Sequence, residues 1–162
     1  MILIYERMKK LLPSLNRRRI TWRMIVRAVN KLGAKLFCLP LRLDGYFVPS
    51  SISESGKPEI YINSRLSDDL QIATAVHEIK HGAFDFDLGV VLFSYRREWT
   101  AAARRGWDQY HKFEFEACAM GAMALLPETK LKHASRGLFD ETDEFLEDLW
   151  KIRLYTRENY RI

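Results

Sequence analysis

Two imidazoles four residues apart, with a carboxylate beside the first, can bind a metal ion and use it. His77 and His81 stand in that relation within AVHEIKHGAFDFD, with Glu78 next to His77. On an α-helix, residues i and i+4 project from one face a turn apart, which lets two imidazoles reach one zinc ion. Glu78 is rotated away from both, where it could serve as general base toward a water beside the metal. The motif HExxH is short, so context must separate a metal site from a pair of partly buried histidines satisfied by hydrogen bonds.

A catalytic zinc takes a third protein ligand and keeps one position open. Asp87, six residues past His81, would be that ligand in an HExxHxxGxxH arrangement. The arrangement needs a glycine at the third position past the second histidine, and this chain has Phe84 there. The other candidates are Glu114 and Glu116, ahead of the apolar run ACAMGAMALL. On a helix they lie about 200° apart. Glu114 shares its face with Ala117, Gly121 and Ala124, small residues that permit close packing on a second helix. Glu116 leads onto Met120 and Met123, an ordinary core face. The small face favours Glu114 as third ligand, with Glu116 as the alternative. Against either stands the plain reading of a solvated helix-start acid stabilised by the dipole.

The elements that must hold these residues are legible in outline. Ser67, followed by Asp68 and Asp69, predicts a capped helix that runs through His81 and ends at Gly82. Leu70, Ala73 and Thr74 share its histidine face, which therefore looks inward. WDQYHKFEFEACAMGAMALL predicts a second helix, apolar all round in its latter half and so buried, with Pro127 halting it or opening a new turn. Upstream, TWRMIVRAVNKLG predicts a helix between a Thr21 cap and a Gly33 stop. AKLFCLP, DGYFVP and PEIYINS predict short strands of a small antiparallel sheet, punctuated by Pro40, Asp44-Gly45 and SSISESGKP. DETDEFLEDLWKIRLYTRENY predicts an amphipathic final helix with Phe145, Leu149 and Ile152 on one side. The first nineteen residues read only as a basic lead, and residues 83–106 carry no assigned element.

Composition sets the frame. A chain of 162 residues with 48% hydrophobic residues suits one α+β domain spanning 1–162. Its charge of +5 comes from 26 basic against 21 acidic residues, a mild excess. The arginines of NRRR, YRREW and ARRGW would suit nucleic acid, but no recognised module accompanies them, so direct nucleic-acid binding is not expected. Cys38 and Cys118 have no metal-binding spacing, which suggests reduced thiols and a cytoplasmic location. The charged start and the lack of a long apolar run argue against a signal peptide or membrane anchor.

The segment EIYINSRLSDDLQIATAVHEIKHGAFD, followed farther along by EFEACAMGAMALLP, resembles the ImmA/IrrE metallopeptidases. Their pattern is a strand, a capped helix bearing HExxH, and a helix reading ExEAxxFAxxLLMP. The resemblance covers about residues 43–130. It implies a zincin-like α+β fold, with Zn2+ held by His77, His81 and Glu114 and with Glu78 as general base. It also implies a protein substrate, a helix-turn-helix transcriptional repressor, in a phage, mobile element or stress response. The chain departs from the pattern at Cys118, Met120 and Leu126, where the family has Asn or Asp, Phe, and Met. An oxyanion donor is expected among Tyr95, Tyr110 and His111. Arg96 and Arg97 would border a cleft that prefers acidic substrates. The rival is a non-catalytic zinc-stabilised module that occupies a repressor or other partner without cutting it, although a closed structural zinc site takes four protein ligands.

Overall fold

Tyr5, Met8, Leu12 and Leu15 recur at helical spacing and are all buried. The opening stretch is thus a helix, α1 (Ile2–Leu11), and more than a basic lead. The computed structural model describes residues 1–85, 92–94, 112–133 and 144–162. After α1 comes α2 (Trp22–Lys31), which buries Ile25, Ala28 and Val29. It stops where expected. Gly33 takes φ 68°, its amide bonds to Asn30 O, and the Ala34 amide reaches back to Val29 O, so the last carbonyls of α2 are satisfied by a left-handed glycine turn.

The strands β1 (Lys35–Leu39), β2 (Gly45–Val48) and β3 (Glu59–Asn63) form where the sequence places them. With β4 (Leu92–Ser94) they make a sheet of order β1-β3-β2-β4. The expectation of a wholly antiparallel sheet is corrected here. The chain does reverse at each turn, but β3 inserts between β1 and β2, so β3 is antiparallel to β2 and parallel to β1. Asn63 fixes this arrangement. Its amide donates to Asp44 O, and its side-chain oxygen accepts from the amides of Leu41 and Arg65. One face buries Phe47, Ile60 and Ile62. The other carries Phe37, Tyr61 and Tyr46 as a stacked ladder across three strands, with centroids 4.7 and 4.4 Å apart.

Against the buried face lies α3 (Asp68–Phe84). Ser67 caps it as predicted, its hydroxyl accepting from the Leu70 amide at 3.4 Å. The helix continues two residues past Gly82, to Phe84, with Asp85 as its C-cap. Next come α4 (Lys112–Leu125), α5 (Glu128–His133) and α6 (Glu144–Tyr160). The part of the α4 prediction before Lys112 lies outside the described residues. Pro127 ends α4 and its carbonyl accepts the first bonds of α5, from Lys130 and Leu131. α3 and α4 share the most extensive interface among the described elements. Ala117, Gly121 and Ala124 are all buried on α4, which agrees with a small-residue face that lets two helices approach closely. α6 closes the core with Phe145, Leu149 and Ile152. Among the described residues, no helix is long and apolar enough to cross a membrane.

Candidate metal centre

His77 and His81 leave α3 on one face, and Glu114 meets them from the first turn of α4. The Nε2 atoms of the histidines are 3.0 Å apart. Glu114 Oε2 lies 3.2 Å from His77 Nε2, and its Oε1 lies 3.4 Å from His81 Nε2. These spacings test whether a metal fits. Four ligands at about 2.0–2.1 Å in a tetrahedron stand about 3.3 Å from one another. Three donors already separated by such distances suit one small ion such as zinc. The histidine side chains are 0% and 1% exposed, whereas Glu114 is 24% exposed. The centre is therefore walled by protein at the histidines, and the glutamate side chain is partly exposed.

Each histidine is oriented through its other nitrogen. His81 Nδ1 is 2.7 Å from Asp85 Oδ2, and His77 Nδ1 is 3.7 Å from Cys118 Sγ. A carboxylate behind a histidine holds the ring and keeps the distal nitrogen aimed at the metal. The same Asp85 oxygen accepts from Lys80 Nζ at 2.7 Å. Lys80 is completely buried, and its ammonium also donates to Phe113 O at 2.9 Å.

Charge in the centre follows from burial and these partners. Burial pulls His77 down to about 4, the Glu114 hydrogen bond opposing it only in part. Burial acts the same way on His81, but the carboxylates of Asp85 and Glu114 overcome it and push the ring up to about 9. For Glu114, desolvation favours the neutral acid, yet its bonds to both histidines win and hold the carboxyl well below its ordinary range. Asp85 is likewise held low, because His81 and Lys80 outweigh its burial. Without metal, one proton is thus kept on His81 between two carboxylates. A metal bound at Nε2 would have to displace it.

Glu78 is fully buried on α3 beside the start of β2. A Cβ on Gly45 would lie 2.7 Å from Thr74 Cγ2, 2.8 Å from Tyr61 O and 3.4 Å from Glu78 Oε1. Only glycine lets β2 run this close to the helix, so strand and carboxylate share one narrow space.

Residues 31–154 match the family model of the IrrE N-terminal-like domain, peptidase family M78. The chain belongs to the IrrE N-terminal-like domain family. The match takes in most of the chain, runs beyond the 43–130 stretch that carried the resemblance at both ends, and includes α3 and α4 with every donor described above. No curated protein matches the chain, and no solved structure does. Membership in this peptidase family, with its α+β fold, gives the His-His-Glu cluster a context in which a metal ion is compatible with its geometry.

Of the residues singled out from sequence, His77, His81 and Glu114 come together, and Glu78 stands next to them on the same helix. Glu116 does not reach the cluster. It is buried elsewhere on α4, with Oε1 3.4 Å from the Met1 amino group and Oε2 3.8 Å from Lys80 Nζ. Asp87, Tyr95, Arg96, Arg97, Tyr110 and His111 lie outside the described residues. Asp85 escaped the sequence reading because the helix was expected to stop at Gly82, and Lys80 because its partners lie past that stop and on α4. A signal existed: Asp85 is four residues past His81, the spacing at which a helical carboxylate meets an imidazole. A lysine inside a helix with no polar face was the other.

Proposed function

We propose that this chain is a zinc-dependent endopeptidase that cleaves a helix-turn-helix transcriptional repressor, an anti-repressor of the phage or mobile-element type acting in the cytoplasm. The reading rests on one observation above all. Three metal-ligating side chains from two helices converge at zinc-like spacing in a member of a peptidase family. His77, His81 and Glu114 would hold the ion. It would supply Lewis acidity, polarising a scissile carbonyl and making water nucleophilic near neutral pH. Glu78 accepts the proton of the attacking water and returns it to the leaving amine. Asp85 keeps the His81 ring aimed and in the tautomer that frees Nε2. The protein wall around the histidines excludes bulk water and strengthens these interactions.

A non-catalytic role for the same centre has less support. A closed structural zinc site uses four protein donors, whereas three converge among the described residues. The test is to incubate the purified protein with candidate repressors, with and without chelator, beside Glu78→Gln. Defined repressor fragments from the wild-type protein, lost with chelator and with Glu78→Gln while zinc stays bound, are the expected result. Repressor that is captured intact, or a Glu78→Gln protein that cuts at the wild-type rate, would end the peptidase assignment.

A further inference from the structure

Lys80 occupies a variable position of the HExxH motif, directly before the second histidine, and is among the largest side chains with no exposure at all. A buried ammonium is costly unless its hydrogen bonds are satisfied. Here they are spent on two particular groups. One is Asp85 Oδ2 at 2.7 Å, the same oxygen that lies 2.7 Å from His81 Nδ1. The other is the carbonyl of Phe113 at 2.9 Å, the residue immediately before Glu114. Glu116 adds a weaker contact at 3.8 Å, and the Phe113 ring covers the ammonium with its centroid 5.3 Å away.

We infer that Lys80 is a positioning residue for the metal centre, a tether that fixes the first turn of α4 against α3 and so sets the distance between the histidine pair and Glu114. The inference rests on the metal-centre reading above. Its physical need is specific. Ligands must stand within about 0.2 Å of their proper distances, but Glu114 projects from the end of a helix whose packing face is small and smooth, made of Ala117, Gly121 and Ala124. Such a face permits close approach without fixing how far one helix slides along the other. A hydrogen bond from α3 to the backbone beside Glu114 removes that freedom. Through Asp85, the same ammonium also anchors the carboxylate that orients His81. One side chain thereby couples ligands on two helices.

The tether and a mere charge effect predict opposite signs. Removing a positive charge from beside a dication site would, by electrostatics alone, tighten metal binding. Removing a positioning partner of the ligands loosens it by about 10–100-fold. The experiment is zinc affinity of the full chain, measured by competition with a chromophoric chelator, for wild type, Lys80→Met, Asp85→Asn and the double variant. Binding by wild type, with Lys80→Met weaker by about 10–100-fold, is the expected result. Unchanged or tighter binding by Lys80→Met overturns the inference and leaves the metal centre standing. Should Lys80→Met fail to fold because Asp85 is left as a buried uncompensated charge, the double variant carries the test, compared with Asp85→Asn. A further loss of about tenfold in the double supports the tether, and equal affinity overturns it. A wild-type chain that takes up no zinc overturns the metal-centre reading, and this inference with it.

Discussion

His77 and His81 are a turn apart on one helix, yet their surroundings push them in opposite directions. His77 is lowered to about 4 by burial and His81 raised to about 9 by two carboxylates. Their effects on stability therefore have opposite signs. In the metal-free protein, the stability from protonated His81 is fully present below the unfolded value near 6.5 and is lost as pH rises toward 9. That from neutral His77 is present above about 6.5 and is lost as pH falls toward 4, because the unfolded chain takes up the proton first. Ionised Glu114, held low, adds to the loss on the acid side. Urea denaturation of chelator-treated protein should give greatest stability near pH 6.5, declining on both sides. Stability that rises steadily from pH 6.5 to 9 would contradict this assignment of charges. At the same scale, the two glutamates of α4 should separate cleanly. Glu114→Ala should lose bound zinc, and Glu116→Gln should keep it with some loss of stability, both readable by metal analysis of the purified variants.

At the scale of elements, the centre depends on how closely β2 and α4 approach α3 from different directions. α4 manages this with small residues, and β2 with Gly45. A methyl at Gly45 would meet the Tyr61 carbonyl at 2.8 Å and Thr74 Cγ2 at 2.7 Å, so strand or helix must shift. Gly45→Ala should cost about 1–3 kcal/mol in chemical denaturation. It should also leave zinc bound, because the close contacts fall on Thr74 and the Tyr61 carbonyl and not on the donor atoms. Wild-type stability in this variant would show that β2 has more room than the structure gives it. The elements also mark where sequence reading was strong. The Ser67 cap, the Gly33 stop and the α6 stripe are local patterns, set by residues within a turn or two of each other. The last two residues of α3 were missed because Gly82 resembles a terminator, whereas close packing against Phe47 and Leu32 suits a residue without a side chain inside the helix.

At the scale of the molecule, Arg153 joins parts that are remote in sequence. It has no exposure. Its Nε donates to Leu126 O at 3.0 Å at the end of α4, and its Nη2 donates to Asn16 Oδ1, in the turn after α1. Asn16 holds φ 62° and accepts the Glu128 amide through both its carbonyl and its side chain. Residues 1–30, which precede the family match, are thus stitched to the end of α4 and to α6 through one buried cation. Arg153→Met leaves several of these polar groups buried without their donor. It should destabilise the fold by about 3–5 kcal/mol in urea denaturation. A loss below about 1 kcal/mol would mean that the junction is held by apolar packing, such as Leu12, Leu15 and Ile20, and not by the guanidinium.

The His-His-Glu cluster was legible because it lies in local spacing. HExxH on a capped helix puts two imidazoles on one face whatever surrounds them, and the small stripe beside Glu114 already favoured it over Glu116. Strand positions were legible for the same reason. The order of the strands was not: local turns dictate reversal, but which strand enters the middle of a sheet depends on contacts between residues far apart, such as Asn63 with Asp44 and Leu41. Lys80 spanning two helices and Arg153 closing the molecule were likewise decided only by tertiary structure. A buried charge finds its partners in three dimensions, and the energy that makes it tolerable comes from groups that sequence proximity alone does not name.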